Sequence, residues 1–136
     1  MSPDARTAET KSWLMKAASD LRAAGYEFTA GPPLLDDIVF HAQQAVEKVL
    51  KGFLTWHDRP FRRTHDLVEL GQACVDLDRA LEGLLRGAAP LTEYAWRFRY
   101  PGDPEQPAED EARTALEVAR EVYKAIVSRL PPGVRP

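Results

Sequence analysis

Polar side chains that could bind or transform a ligand are concentrated on one predicted helix, in the stretch "FHAQQAVEKVLKGFL" (residues 40–54). Four of them recur at steps of three or four and therefore share one helical face: His41, Gln44, Lys48 and Lys51. Gln43 and Glu47 form a neighbouring row, and Glu47 precedes Lys51 by one turn, the favourable order for an ion pair. Periodicity alone favours a solvated face with ion pairs worth about 0.2–0.5 kcal/mol each over a ligand-binding face.

Arginines are concentrated in the segment after this helix, "HDRPFRRTHD" (residues 57–66). Arg59, Arg62 and Arg63 lie just before a predicted helix N-terminus. A guanidinium binds phosphate through paired hydrogen bonds, and free N–H groups at a helix N-terminus also attract anions. A phosphate site is therefore one interpretation, although composition alone favours a solvated turn.

Cations alternate with aromatic rings in "TEYAWRFRYPG" (residues 92–102). Such a mixture can stack bases and hold phosphates. It also fits a helix end that buries Trp96 and Tyr100, with Arg97 and Arg99 complementing the helix dipole. The composition favours this second interpretation.

Other chemistries lack a matching motif. The histidines His41, His57 and His65 do not have the H-E-x-x-H spacing of a metal site, and no glycine-rich phosphate loop occurs. Cys74 lies in an apolar stretch without an adjacent base, which favours core packing over catalysis. The sequence therefore predicts no metal site and no required cofactor.

Charge and composition limit the partners and the setting of the chain. A net charge of −3 does not favour nonspecific binding of duplex nucleic acid. A single cysteine cannot form an intramolecular disulfide, which fits a reducing environment. No apolar run approaches the ~20 residues of a membrane span, and the first residues lack the apolar core of a signal peptide. We therefore expect a cytoplasmic protein with no membrane association.

Helical periodicity dominates the elements that must position these side chains. Predicted helices span residues 5–28, 34–56, 65–77, 78–101 and 107–130. Thr64 or Asp66 caps the third helix, and Pro90 kinks or divides the fourth. Residues 101–110 form a Pro-rich loop, and residues 131–136 form a flexible tail that frays. The sequence predicts one domain over residues 1–136, an all-α, up-and-down antiparallel bundle of four or five helices.

Four segments together resemble the HEPN family (higher eukaryotes and prokaryotes nucleotide-binding domain). They are "ASDLRAA" (residues 18–24), "FHAQQAVEKVLKGFL" (residues 40–54), "THDLVEL" (residues 64–70) and "YAWRFRYPG" (residues 94–102). They occur in the family's order and spacing, and their combination is specific for family and fold. The resemblance implies an up-and-down bundle that pairs as a homodimer and is often encoded beside a minimal nucleotidyltransferase.

The resemblance leaves two functions open. Some HEPN proteins are metal-independent RNases that act as toxins of toxin–antitoxin pairs and use an Arg and a His with four to six residues between them. Only Arg59 and His65 have that spacing here, around a loop with Pro60 after the Arg, and no His follows Arg97 or Arg99. Other members are noncatalytic binding modules. We therefore expect a module without catalysis of its own, with a metal-independent endoribonuclease using Arg59 and His65 as the alternative.

The resemblance also suggests which residues bind the nucleotide or the partner protein. They are His41, Gln44, Lys48, Lys51, His65, Asp66, Arg99 and Tyr100. Lys48 and Arg99 would contact the phosphates of ATP or GTP, and Tyr100 would stack or hydrogen-bond. Asp66 would orient a histidine or cap its own helix. The expected partners are a second copy of the chain, a minimal nucleotidyltransferase encoded nearby, and a nucleotide or single-stranded RNA. Three Trp and nine Phe and Tyr residues are many for one small bundle, which fits an interface between two copies.

Overall fold

The computed structural model describes residues 1–103 and 105–136, and these residues form an all-α bundle. Its α-helices are α1 (Pro3–Phe28), α2 (Leu35–Trp56), α3 (Leu67–Leu77), α4 (Glu82–Ala88) and α5 (Glu109–Val127). Shorter 3₁₀ helices span Arg79–Leu81, Ala89–Ala95 and Pro132–Val134. The all-α helical bundle predicted from periodicity is confirmed.

The central element is α2, which packs against α1, α3, α5 and the 3₁₀ helix Ala89–Ala95. Because these elements cover several faces of α2, 14 of its 22 residues are buried. A helix that is covered on several sides encloses its polar residues as well as its apolar ones. This surrounding of α2 determines the environment of the polar residues in the stretch 40–54.

Polar contacts fix α1 and α2 as an antiparallel pair. The contacts are Glu27 with His41 at 2.8 Å, Asp20 with Lys48 at 2.8 Å, and the Arg6 guanidinium 4.7 Å from the Trp56 ring centre. In these pairs the residue number decreases along α1 as it increases along α2, so the two helices run in opposite directions. At Gly52 the helices approach closely, because an added Cβ would lie 3.2 Å from both Trp13 Cβ and Leu14 Cδ2.

The predicted helix over residues 78–101 is divided at Pro90, as one of the two predicted alternatives had it, but it is also interrupted at two further places. Asp78 is extended and its carboxylate accepts the Ala80 N–H, which starts the 3₁₀ helix Arg79–Leu81. Pro90 has no N–H group for a continuing α-helix, and the chain continues as the 3₁₀ helix Ala89–Ala95. Phe98 then adopts a left-handed conformation with φ of 69° while its ring is buried. Residues 97–103 therefore form a non-helical segment.

The C-terminal residues differ from the predicted fraying tail. Pro132–Val134 form a 3₁₀ helix that contacts α1, and Val134 is only 1% exposed. The Arg135 guanidinium donates a hydrogen bond to the Leu130 carbonyl at 2.7 Å. Burial of one apolar side chain and capping of the preceding carbonyl hold this segment on the bundle.

Candidate functional site

One polar row of α2 lies inside the protein. Gln43 is fully buried, and Glu47 and Lys51 are only 4% and 6% exposed. Lys51 Nζ donates to Glu47 Oε2 at 2.9 Å, and Gln43 Nε2 donates to Glu47 Oε1 and to the His65 carbonyl, both at 3.2 Å. The solvated face that periodicity favoured is therefore wrong for this row.

The buried Glu47 carboxylate holds the ring of His65, which comes from the loop before α3. His65 Nδ1 lies 2.6 Å from Glu47 Oε1, while 63% of the His65 side chain remains exposed. Burial alone would raise the pKa of the Glu47 carboxyl, but hydrogen bonds from His65, Lys51 and Gln43 hold that pKa below its ordinary value. The carboxylate is therefore ionised at neutral pH and orients an exposed imidazole.

Aromatic rings enclose the ammonium of Lys51. Lys51 Nζ lies 5.5 Å from the Trp13 ring centre and 5.8 Å from the Phe61 ring centre, and these two rings meet edge to face. Such contacts favour a cation in a partly dry environment. Lys51 therefore supports Glu47 from inside the bundle and does not itself face solvent.

Arg99 covers the same face of α2 nearer to the start of the helix. Its guanidinium carbon lies 3.5 Å from the centre of the Phe40 ring, and Arg99 is exposed. Within the described residues, no carboxylate forms an ion pair with Arg99. Phe40 and Glu47 are two helical turns apart, which places Arg99 and His65 over one face at levels separated by about 10 Å.

The structure brings some of the predicted site residues together and separates others. Gln44 joins the cluster, because its Nε2 donates to Gln43 Oε1 at 2.7 Å, and exposed Tyr100 follows Arg99. His41 and Lys48 instead contact carboxylates of α1. The predicted face of four residues is thus divided: His41 and Lys48 contact α1, Gln44 is half-buried beside Gln43, and Lys51 lies in the interior.

The Asp66 carboxylate and the Arg59 main chain form hydrogen bonds with backbone groups, and among the described residues none joins either residue to the imidazole of His65. The Asp66 carboxylate accepts the Val68 N–H at 2.9 Å, so Asp66 is the N-cap of α3. The Arg59 N–H donates to the Leu54 carbonyl at 2.9 Å, two turns of α2 beyond Glu47. The main chain of Arg59 is therefore held about 10 Å further along α2 than the Glu47 contact of His65.

Sequence reasoning missed Glu47 as a site residue, although one signal was present. Glu47 stands one turn after Gln43 and one turn before Lys51. This pattern predicts an exposed ion pair within the helix as readily as a buried polar row. His65 reaches Glu47 from 18 positions further along the chain. The contact therefore depends on how the loop before α3 returns to α2.

Two further properties concern metals and membranes. In the part of the chain that the structure describes, no three His, Cys, Asp or Glu side chains are grouped as metal ligands. Among the helices formed by residues 1–103 and 105–136, none combines the length and apolar character needed to cross a lipid bilayer.

Comparison with known proteins identifies the family. A family model described as HEPN domain matches residues 10–130, which is most of the chain. No curated protein and no solved structure matches the chain. The family that the four segments resemble is confirmed by this match, and the chain belongs to the HEPN domain family.

Proposed function

We propose that the chain is a homodimeric binding module without catalysis of its own, which binds a nucleotide through its phosphates between Arg99 and His65. Membership of the HEPN domain family suggests a function related to nucleotides or RNA. The observation that carries the proposal is that an exposed imidazole and an exposed guanidinium, the latter without a carboxylate partner among the described residues, lie over one face of α2. Both groups can donate hydrogen bonds to phosphate oxygens when charged.

Each part of this surface suits a different part of a nucleotide. The Phe40 ring holds the flat face of the Arg99 guanidinium and leaves its N–H edges available for phosphate. The exposed rings of Trp96 and Tyr100 flank Arg99 in sequence and offer stacking surfaces for a base. His65 provides a second phosphate contact further along α2.

Thermal unfolding with ATP or GTP tests this function. A ligand of the folded state at 100 times its Kd adds about 2.7 kcal/mol to the free energy of unfolding and raises Tm. Arg99→Gln and His65→Gln should each reduce the shift in Tm. Arg97→Gln is the matched control, because Arg97 lies in the same segment but its guanidinium is bound to Glu93 at 2.7 Å. Absence of any shift with either nucleotide would refute the proposal.

The homodimer and a nucleotidyltransferase partner are further parts of the proposal. Exposed Met15, Tyr26 and Val68 supply apolar area of the kind that interfaces cover. Light scattering should give twice the mass of 15.2 kDa, and a single-chain mass at micromolar concentration would refute the dimer. A minimal nucleotidyltransferase encoded nearby should co-elute with the purified chain; separate elution would refute that pairing.

A metal-independent endoribonuclease is the second candidate, and the bond between Glu47 and His65 favours it. A carboxylate on Nδ1 orients a histidine for general acid–base catalysis at Nε2. Purified protein would then cleave single-stranded RNA without added metal, and His65→Ala would abolish cleavage. Arg59→Ala tests whether Arg59 acts with His65. Intact RNA at micromolar protein would exclude this candidate.

A further inference from the structure

The contact with Glu47 determines which nitrogen of His65 carries a proton. An ionised carboxylate only accepts hydrogen bonds, so Nδ1 at 2.6 Å from Glu47 Oε1 is the donor. The carboxylate is kept in place by Lys51 at 2.9 Å and by Gln43 at 3.2 Å. A neutral His65 therefore has its proton on Nδ1 and a lone pair on Nε2. Within the described residues, Nε2 has no hydrogen-bond partner.

We propose that Glu47 is a positioning residue that makes phosphate binding at His65 depend on the uptake of one proton. This inference rests on the proposed nucleotide site. A lone pair on Nε2 repels the lone pairs of an ionised phosphate oxygen, so the contact forms only when Nε2 is protonated. The resulting imidazolium lies between two anions, the Glu47 carboxylate and the phosphate, and both stabilise it. Affinity for an ionised phosphate therefore falls as pH rises.

The charged groups around His65 leave its imidazole as the site of this proton uptake. On α2, the Lys51 ammonium is bound to Glu47 in the interior. At the start of α3, the Asp66 carboxylate caps its own helix. In the segment 97–103, Arg99 lies on the Phe40 ring, about two helical turns away.

The other two histidines provide controls within the same chain. His41 also contacts a carboxylate, but Glu27 holds it at the interface with α1. His57 is exposed at the end of α2, where its ring lies edge to face on Phe53, and no described carboxylate binds it. His57 therefore reports how an exposed histidine behaves without the positioning contact.

The first experiment measures the tautomer of the free protein by 15N NMR of the imidazole nitrogens. For neutral His65 we expect a protonated Nδ1 and an unprotonated Nε2, with a different tautomer mixture at His57. The variant Glu47→Met/Lys51→Met removes the carboxylate and its cation together and should lose the His65 preference. A His65 proton on Nε2 in the wild type would overturn the positioning role, whether or not any nucleotide binds.

The second experiment measures proton uptake on ATP binding by calorimetry in two buffers of different ionisation enthalpy. At about pH 8 a terminal phosphate is fully ionised and supplies no proton, so a proton taken up on binding comes from the buffer. We expect uptake that approaches one proton per site, with affinity falling up to tenfold per pH unit. His65→Gln should bind more weakly and without uptake, whereas His57→Gln should behave as the wild type.

The outcomes separate this inference from the proposed function. ATP binding without proton uptake would overturn the inference and leave the nucleotide site intact. Absence of ATP binding would refute the nucleotide site and the linked uptake, and the NMR result would still decide whether Glu47 positions His65.

Discussion

Replacement of Lys51 by Met tests whether the stability of the fold depends on both members of the buried Glu47–Lys51 ion pair. Glu47 and Lys51 are 4% and 6% exposed, so little water can replace the lost ammonium. Removing one partner of a buried pair costs about 3–5 kcal/mol, because the other charge stays buried. Glu47 keeps its hydrogen bonds to His65 and Gln43, which places the expected loss near the lower end, at about 3 kcal/mol.

The double variant Glu47→Met/Lys51→Met supplies the matched comparison. It replaces both charges with apolar side chains of similar length, a change that is often neutral or stabilising for buried pairs. We therefore expect its free energy of unfolding to lie within about 1 kcal/mol of the wild type, a recovery of about 2–3 kcal/mol over Lys51→Met alone.

Urea unfolding at neutral pH measures all three proteins, with equal slopes as the check that the same surface is exposed. A Lys51→Met variant within 1 kcal/mol of the wild type would contradict the reasoning, since the cost of about 3 kcal/mol follows from burial. A double variant no more stable than the single one would also contradict it, because the loss would then come from packing around the Trp13 and Phe61 rings.

Further predictions concern packing, reactivity and pH. Gly52→Ala should lower the free energy of unfolding by about 1–2 kcal/mol, because its Cβ would press on Trp13 Cβ; Gly83→Ala, with open space around it, should be neutral or stabilising. Burial raises the pKa of the Cys74 thiol to about 12, so a thiol reagent should label it only on unfolding, and rapid labelling of the folded chain would contradict this. The lowered pKa of Glu47 means that its stabilisation is complete above the ordinary value of 4.5 and is lost as pH falls through the lowered value. As the pH decreases below about 4.5, the urea midpoint of the wild type should therefore decrease more steeply than that of Glu47→Met/Lys51→Met.

The long helices were predictable from the sequence because their apolar stripes repeat over many turns. The observed ends of α1, α2 and α5 differ from the predicted ones by no more than three residues. The region between α3 and the Pro-rich loop was not predictable in the same way. Its structure depends on the carboxylate cap of Asp78 and on the buried ring of Phe98, which compensates for a left-handed backbone.

The candidate site was only partly predictable, because periodicity groups residues on a face without showing what covers that face. Gln44, His65 and Arg99 were expected as site residues; Gln44 and His65 belong to the hydrogen-bond cluster of Gln43 and Glu47, whereas Arg99 lies on the Phe40 ring about two helical turns away. His41 and Lys48 share the predicted face, yet α1 supplies a carboxylate to each. Whether these residues bind a ligand stays a prediction.

The left-handed turn at Phe98 gives the two neighbouring arginines different evolutionary constraints. Arg97 forms an ion pair with Glu93, one turn earlier, and its guanidinium carbon lies 4.5 Å from the Phe98 ring centre; a lysine ammonium can make contacts of both kinds at little cost at an exposed site. Arg99 lies closer, 3.5 Å from the Phe40 ring centre, and a lysine ammonium has neither the planar face nor the paired N–H edges for that position. The stretch "RFR" therefore contains one exchangeable and one restricted arginine, and relatives that keep this binding surface should vary at the first position more freely than at the second.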